Sequence, residues 1–112
     1  MYSKGDVCLA DLDPTTGVEI KKTRPVIIVS NDWINQHSQL VVVVPLTSNI
    51  KRVSPSEVII PKGSGGLDYD SKAATDQIRA IDKSRIVKKL GRLEADIFEE
   101  VSNALKNTLD FW

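Results

Sequence analysis

The 112-residue chain carries a single histidine, His37, and a single cysteine, Cys8, so it is poor in the side chains most used for acid–base, nucleophilic or zinc chemistry. With one histidine, no imidazole acid–base pair can form within the chain. Zinc sites draw on three or four ligands, usually His or Cys, and this chain offers one of each, far apart in sequence. One cysteine also excludes an intrachain disulfide and fits a reducing cytoplasm. Cys8 lies in an apolar segment with no paired base, which marks it as a buried, inert thiol. Charge of one sign is lacking as well, with 15 basic residues against 15 acidic ones. Proteins that coat nucleic acid nonspecifically are usually basic, because phosphate contacts dominate their affinity. Neutrality argues against that class, but it leaves room for an enzyme that grips a few nucleotides in a local site. The longest apolar run, Leu40 to Leu46, is far too short to span a bilayer, and the polar start, Met1 to Asp6, does not read as a signal peptide. Gly63-Ser64-Gly65-Gly66 lacks the lysine and Ser/Thr of a phosphate-binding P-loop and reads as a flexible hairpin connection.

What is present describes one compact domain over residues 1–112, with an ordinary globular composition of 41% hydrophobic residues. Asp6 to Leu12 reads as a first strand buried on much of both faces. The polar stretch from Asp13 to Thr23 is long enough to be a functional loop. Pro25 to Val29 is a β-branched strand, with proline at the start, where a strand tolerates it. Asn31 to Ser38 is a turn or a short helical piece, and Leu40 to Val44 is a strand that ends at Pro45-Leu46. Glu57 to Ile60, Ala73 to Ile81 and Ile86 to Leu90 supply further strands. From Glu94 the period becomes helical: Ile97, Val101, Ala104, Leu105 and Leu109 share a face with Phe98 beside them. Acidic residues load the helix start, as its dipole favours. The fold class is mainly β with a C-terminal helix, a small barrel or curled sheet with the helix packed on it.

Elimination leaves polar residues at strand ends, where a rigid scaffold presents side chains. These are Arg24 entering a strand, Thr47 leaving one, and Asp76-Gln77 inside one. An arginine fork matches a phosphate bidentately and stays charged throughout a reaction, which suits it to a phosphorane-like transition state. The plainer alternative is a surface ion pair for Arg24 and a loop-backbone contact for Thr47. Trp33 reads as a plug at the edge of the core, with a stacking platform for a base as the other possibility. His37 reads as a surface residue, with a groove contact as the other possibility.

Lys4-Gly5-Asp6-Val7 with Asp11-Leu12-Asp13-Pro14, then Gly17, Glu19 and Thr23-Arg24-Pro25-Val26-Ile27-Ile28, resembles the MazF/PemK/Kid toxin family. The likeness continues through Val44-Pro45-Leu46-Thr47-Ser48 and Asp76-Gln77-Ile78-Arg79-Ala80-Ile81-Asp82-Lys83-Ser84-Arg85 into the terminal helix, and is closest to the MazF branch. The resemblance implies an SH3-like barrel that forms a homodimer, is held inactive by a cognate antitoxin, and cuts single-stranded RNA without a metal or other cofactor. In that chemistry the RNA's own 2′-hydroxyl attacks the adjacent phosphate, leaving a 2′,3′-cyclic phosphate and a 5′-hydroxyl. By the same resemblance Arg24 and Thr47 are the catalytic residues, and Thr16, Glu19, Lys21, Ser48, Asp76 and Gln77 contact the RNA. Asp13 to Thr23 becomes a mobile loop that closes over it. Lys21 and Lys22 touch phosphates or form a solvated basic face. The Kid-like branch uses an arginine two residues before the acid and a histidine in the first loop. Here that position is Ala74 and the loop has no histidine, so the Kid-type site does not carry over. The alternative on the same fold is a non-enzymatic gyrase poison like the CcdB proteins, for which the terminal Asp110-Phe111-Trp112 would supply the anchor.

Overall fold

Successive residues of the central strands point into two different cores, which is why those strands read as unbroken apolar runs. The computed structural model describes residues 1–111. Its strands are β1 (Asp6–Asp11), β2 (Thr23–Ile28), β3 (Leu40–Thr47), β4 (Glu57–Ile60), β5 (Ser71–Ala74), β6 (Arg79–Asp82) and β7 (Ile86–Arg92). Two helices join them, α1 (Asp32–His37) and α2 (Ala95–Leu109). All pairings are antiparallel, and the sheet runs β4-β5-β3-β2-β1-β7, with β6 pairing the first half of β3.

Val7, Ile27, Val44 and Leu46 face a core that α2 closes with Val101, flanked by Ile97, Phe98 and Leu105. Cys8, Val26, Ile28, Val41 and Val43 face a second core with Ile81, against which Ile20 of the first loop packs. The period of two along each strand sends alternate side chains to opposite faces, and both faces are covered. Burial in the second core, helped by the charge of Asp6, pushes the Cys8 thiol up to about 11, consistent with an inert thiol. The helical face expected from Glu94 onward is present, except that Leu109 at its end is exposed. Asp110 then ends the helix in the left-handed conformation.

Four local expectations are corrected. The strand expected to end at Pro45 runs on to Thr47. Pro45 is tolerated because β3 exchanges β6 for β5 at this point, so its missing N–H faces no second strand. The strand expected over Ala73 to Ile81 is broken by a 3₁₀ turn at Thr75–Gln77. Thr75 is fully buried there; its N–H donates to Ser56 O at 3.1 Å, and its hydroxyl lies 2.7 Å from that of Thr108 on α2. Asp76 and Gln77 therefore sit on a turn rather than inside a strand. The segment between β4 and β5 is a hairpin connection, but a packed one: Ser64 and Gly65 are buried, and Gly65 and Gly66 lie against Leu90 and Gly91 of β7. Trp33 is no core plug. It is 67% exposed and stacks on exposed His37, ring centroids 4.9 Å apart. The inward place on α1 belongs to Asn35, whose amide donates to Ser30 O at 2.8 Å.

Candidate functional site

Antiparallel pairing sets Arg24 of β2 opposite Ala10 of β1 and carries Thr47 to the end of the neighbouring strand. Arg24 is exposed, and among the described residues its guanidinium takes part in no ion pair. The Thr47 hydroxyl oxygen accepts the N–H of Asn49 at 3.3 Å. This is the local loop contact of the plainer reading, yet it leaves the hydroxyl's own proton to donate elsewhere. Arg24, Thr47 and Ser48 open on one cavity of about 300 Å³, walled by Leu9, Leu46 and Leu90. A guanidinium fork free of any ion pair among the described residues, a hydroxyl donor and low-dielectric walls form a site that can bind a phosphate and stabilise charge growing on its oxygens.

Three of the other anticipated contacts, Glu19, Asp76 and Gln77, line a second cavity of about 300 Å³ together with Arg79. Pro45 lines this second cavity while Leu46 lines the first, so the end of β3 separates the two. Thr16 and Lys21 are exposed on the loop and line neither. Glu19 spends one carboxylate oxygen on the Thr16 N–H, and its own N–H donates to Thr16 O at 3.2 Å, closing a tight turn. Gln77 has a role that the sequence did not reveal. Its amide oxygen accepts the Ile20 N–H at 2.6 Å, tying the loop to the 3₁₀ turn, while its NH₂ group stays available to a ligand.

The loop from Asp13 to Thr23 is therefore held at its base. Leu12 N–H donates to Lys22 O at 2.9 Å, and Lys22 N–H to Asp13 Oδ1 at 3.1 Å. Arg79 donates to Leu12 O at 3.1 Å, and Arg85 donates to the carbonyls of Asp11 and Asp13. Beyond these ties the tip projects, with Val18 97% exposed.

The first cavity also contains residues that sequence reasoning missed: Lys88 of β7, and Asp68, Tyr69 and Ser71 from the β4–β5 connection and the start of β5. Lys88 arrives by the pairing of Leu9 with Lys88, a contact between the two ends of the chain that no local pattern announces. Tyr69, an aromatic in a glycine-rich connection, was the one visible signal. Among the described residues no three His, Cys, Asp or Glu side chains gather as a metal site, and no helix is long and apolar enough to cross a membrane.

Comparison with known proteins matches residues 3–109 to a family described as PemK-like, MazF-like toxin of type II toxin–antitoxin systems. Endoribonuclease MazF9 of Mycobacterium tuberculosis is 38% identical over 100% of this chain and 99% of its own length. Endoribonuclease MazF of Staphylococcus saprophyticus is 41% identical over 97% of this chain and 92% of its own. Among solved structures, MazF of Deinococcus radiodurans superposes with a TM-score of 0.85 at 27% identity, covering 98% of this chain and 97% of that one. A mycobacterial endoribonuclease in complex with its cognate antitoxin superposes with a TM-score of 0.82 at 25% identity, covering 98% and 96%.

Proposed function

Since the chain belongs to the PemK-like, MazF-like toxin family, we propose that it is a sequence-specific, metal-independent endoribonuclease that cuts single-stranded mRNA at the Arg24 cavity. The observation that carries this reading is the convergence of Arg24 and Thr47 on one cavity, with no protein nucleophile needed beside them. The substrate supplies the nucleophile. Its 2′-oxygen bonds to phosphorus and gives up its proton, while the bond from phosphorus to the 5′-oxygen breaks and that oxygen takes a proton. The products are a 2′,3′-cyclic phosphate and a 5′-hydroxyl. Negative charge on the non-bridging oxygens peaks midway, where the Arg24 fork binds it most strongly. Thr47 donates its hydroxyl proton to one of those oxygens or orients the attacking group. Arg24 acts by charge, since guanidinium groups in general are poor proton relays.

Glu19, Asp76 and Gln77 read unpaired bases on the other side of β3, since carboxylates and amides suit base-edge hydrogen bonds in splayed single strands. Ser48 binds beside Thr47, and Thr16 and Lys21 meet the RNA from the loop. The toxin domain spans residues 1–112, acts in the cytoplasm as a homodimer, and is restrained by a cognate antitoxin. The mycobacterial relative solved with its antitoxin supports this last point. The gyrase-poison alternative draws no support from relatives that are endoribonucleases. Of its proposed anchor, Phe111 is exposed and Trp112 lies outside the described residues. Incubating the purified chain with mixed RNA and a chelator tests the reading. Discrete fragments with 5′-hydroxyl ends are expected, and none from a substrate whose attacking 2′-hydroxyl is replaced by hydrogen. Intact RNA would overturn it.

A further inference from the structure

The cavity that holds Arg24 and Thr47 is larger and more apolar than a phosphate requires. A phosphate needs donors. This cavity adds Leu9, Pro25, Leu67 and Leu90, a volume of about 300 Å³, and the ring of Tyr69. That volume sits at the small end of the range for small-molecule pockets, the scale of a single nucleotide. Tyr69 is 71% exposed, so its ring does not serve the core. Its backbone is nonetheless fixed. Tyr69 O accepts the Ser71 hydroxyl at 3.0 Å, and Asp70 next to it accepts the Lys62 N–H at 2.8 Å. Two residues earlier, Leu67 is buried and its carbonyl accepts the Gly63 N–H at 2.9 Å. An exposed aromatic on a fixed backbone, lining one cavity with cationic side chains, is the arrangement that stacks an unpaired base. Lys88, exposed on β7, lines the same cavity and takes part in no ion pair among the described residues.

We infer that this cavity is a nucleotide subsite, in which Tyr69 stacks on the base next to the scissile phosphate and Lys88 neutralises the phosphate that follows. The inference rests on the cleavage reading and adds to it a substrate-holding wall formed by the β4–β5 connection and β7. Reading of bases is then divided between two cavities separated by the end of β3. Stacking selects for an unpaired, unstacked nucleotide without selecting its identity, which the second cavity does by hydrogen bonds.

The test measures binding of a short oligoribonucleotide that contains the cut site, with its attacking 2′-hydroxyl replaced by hydrogen. Tyr69→Ala should weaken binding about ten-fold or more, as loss of a base–aromatic stack does, while Tyr69→Phe retains it. Making the flanking nucleotide abasic should weaken wild-type binding to the same extent and leave Tyr69→Ala unaffected. Lys88→Ala should lower the slope of log affinity against log salt by about 0.7, the value for one single-strand phosphate. Melting temperatures should match wild type, because both side chains are exposed. Wild-type binding by Tyr69→Ala, or equal sensitivity of both proteins to the abasic substitution, would overturn the subsite. So would loss of antitoxin binding with RNA binding intact, which would make Tyr69 a partner contact. Arg24→Ala separates the two levels. If it cuts RNA at the wild-type rate, the cleavage reading fails; if it is inactive while Tyr69→Ala behaves as wild type, only the subsite fails.

Discussion

Gly66 and Gly63 lie on the same connection and both have positive φ, yet alanine should cost far more at one than at the other. A Cβ on Gly66 would sit 2.2 Å from Leu90 O and 2.8 Å from Leu90 C, at φ +77. A Cβ on Gly63, at φ +93, would meet nothing within 4 Å. Left-handed backbone costs an alanine roughly 1–2 kcal/mol, and both sites incur this. Only Gly66 adds a clash with backbone, which cannot rotate away, and overpacking of that kind costs about 1–3 kcal/mol more. At about 4 °C per kcal/mol for a domain near this size, Gly66→Ala should melt roughly 4–12 °C below Gly63→Ala. Paired thermal unfolding followed by circular dichroism reads the difference directly. Equal melting temperatures would refute the close approach of the β4–β5 connection to β7, and with it the rigid wall assigned to the Arg24 cavity.

Two further outcomes follow from contacts around the loop and the N-terminus. Gln77→Ala removes the acceptor of the Ile20 N–H, a hydrogen bond worth about 0.5–1.5 kcal/mol, so exchange of the Ile20 amide should accelerate roughly 2- to 12-fold. Unchanged exchange would mean that Gln77 does not hold the loop. Burial alone would raise the Asp6 carboxyl, but the Ser3 N–H, Lys89 and Arg92 outweigh it and hold the group below the usual carboxylate range. The folded chain binds this proton more weakly than the unfolded one, so the stabilisation is present at neutral pH. It is lost as pH falls through the usual carboxylate range toward the folded value. Asp6→Asn should flatten that acid limb of the stability curve, and an unaltered slope would count against the pairing.

The central strands and the helix were legible because their periods are local. Alternation within Val7–Cys8 or Val26–Ile28 and the i, i+4 spacing of α2 belong to neighbouring residues. Arg24, Thr47 and Ser48 were legible for the same reason, as residues at the ends of adjacent strands within family-like motifs. Lys88 was not, because pairing of β7 with β1 joins opposite ends of the chain. The Thr75–Gln77 turn was hidden for a similar reason. It depends on Thr75 binding Ser56 and Thr108, residues distant in sequence, and these contacts override a stretch that reads as a strand. Composition misleads at Trp33. A tryptophan suggests a core, but the buried position on α1 goes to an asparagine whose polar groups are satisfied by Ser30. Gln77 was placed among the RNA contacts by its family motif, and its tie to Ile20 adds a structural task that only the fold brings into view.

Everything proposed for cleavage depends on the charge of Arg24 doing the chemistry beside Thr47. The direct measurement is the single-turnover rate constant for cutting a one-site oligoribonucleotide, with enzyme in excess and a chelator present. Losing one preorganised donor to a developing oxyanion costs about 10²–10³ in rate, so Arg24→Ala should fall at least that far with its melting temperature unchanged. Arg24→Lys should recover little, because a point charge does not replace the bidentate fork. A folded Arg24→Ala variant that cuts within a few-fold of the wild-type rate would contradict the account.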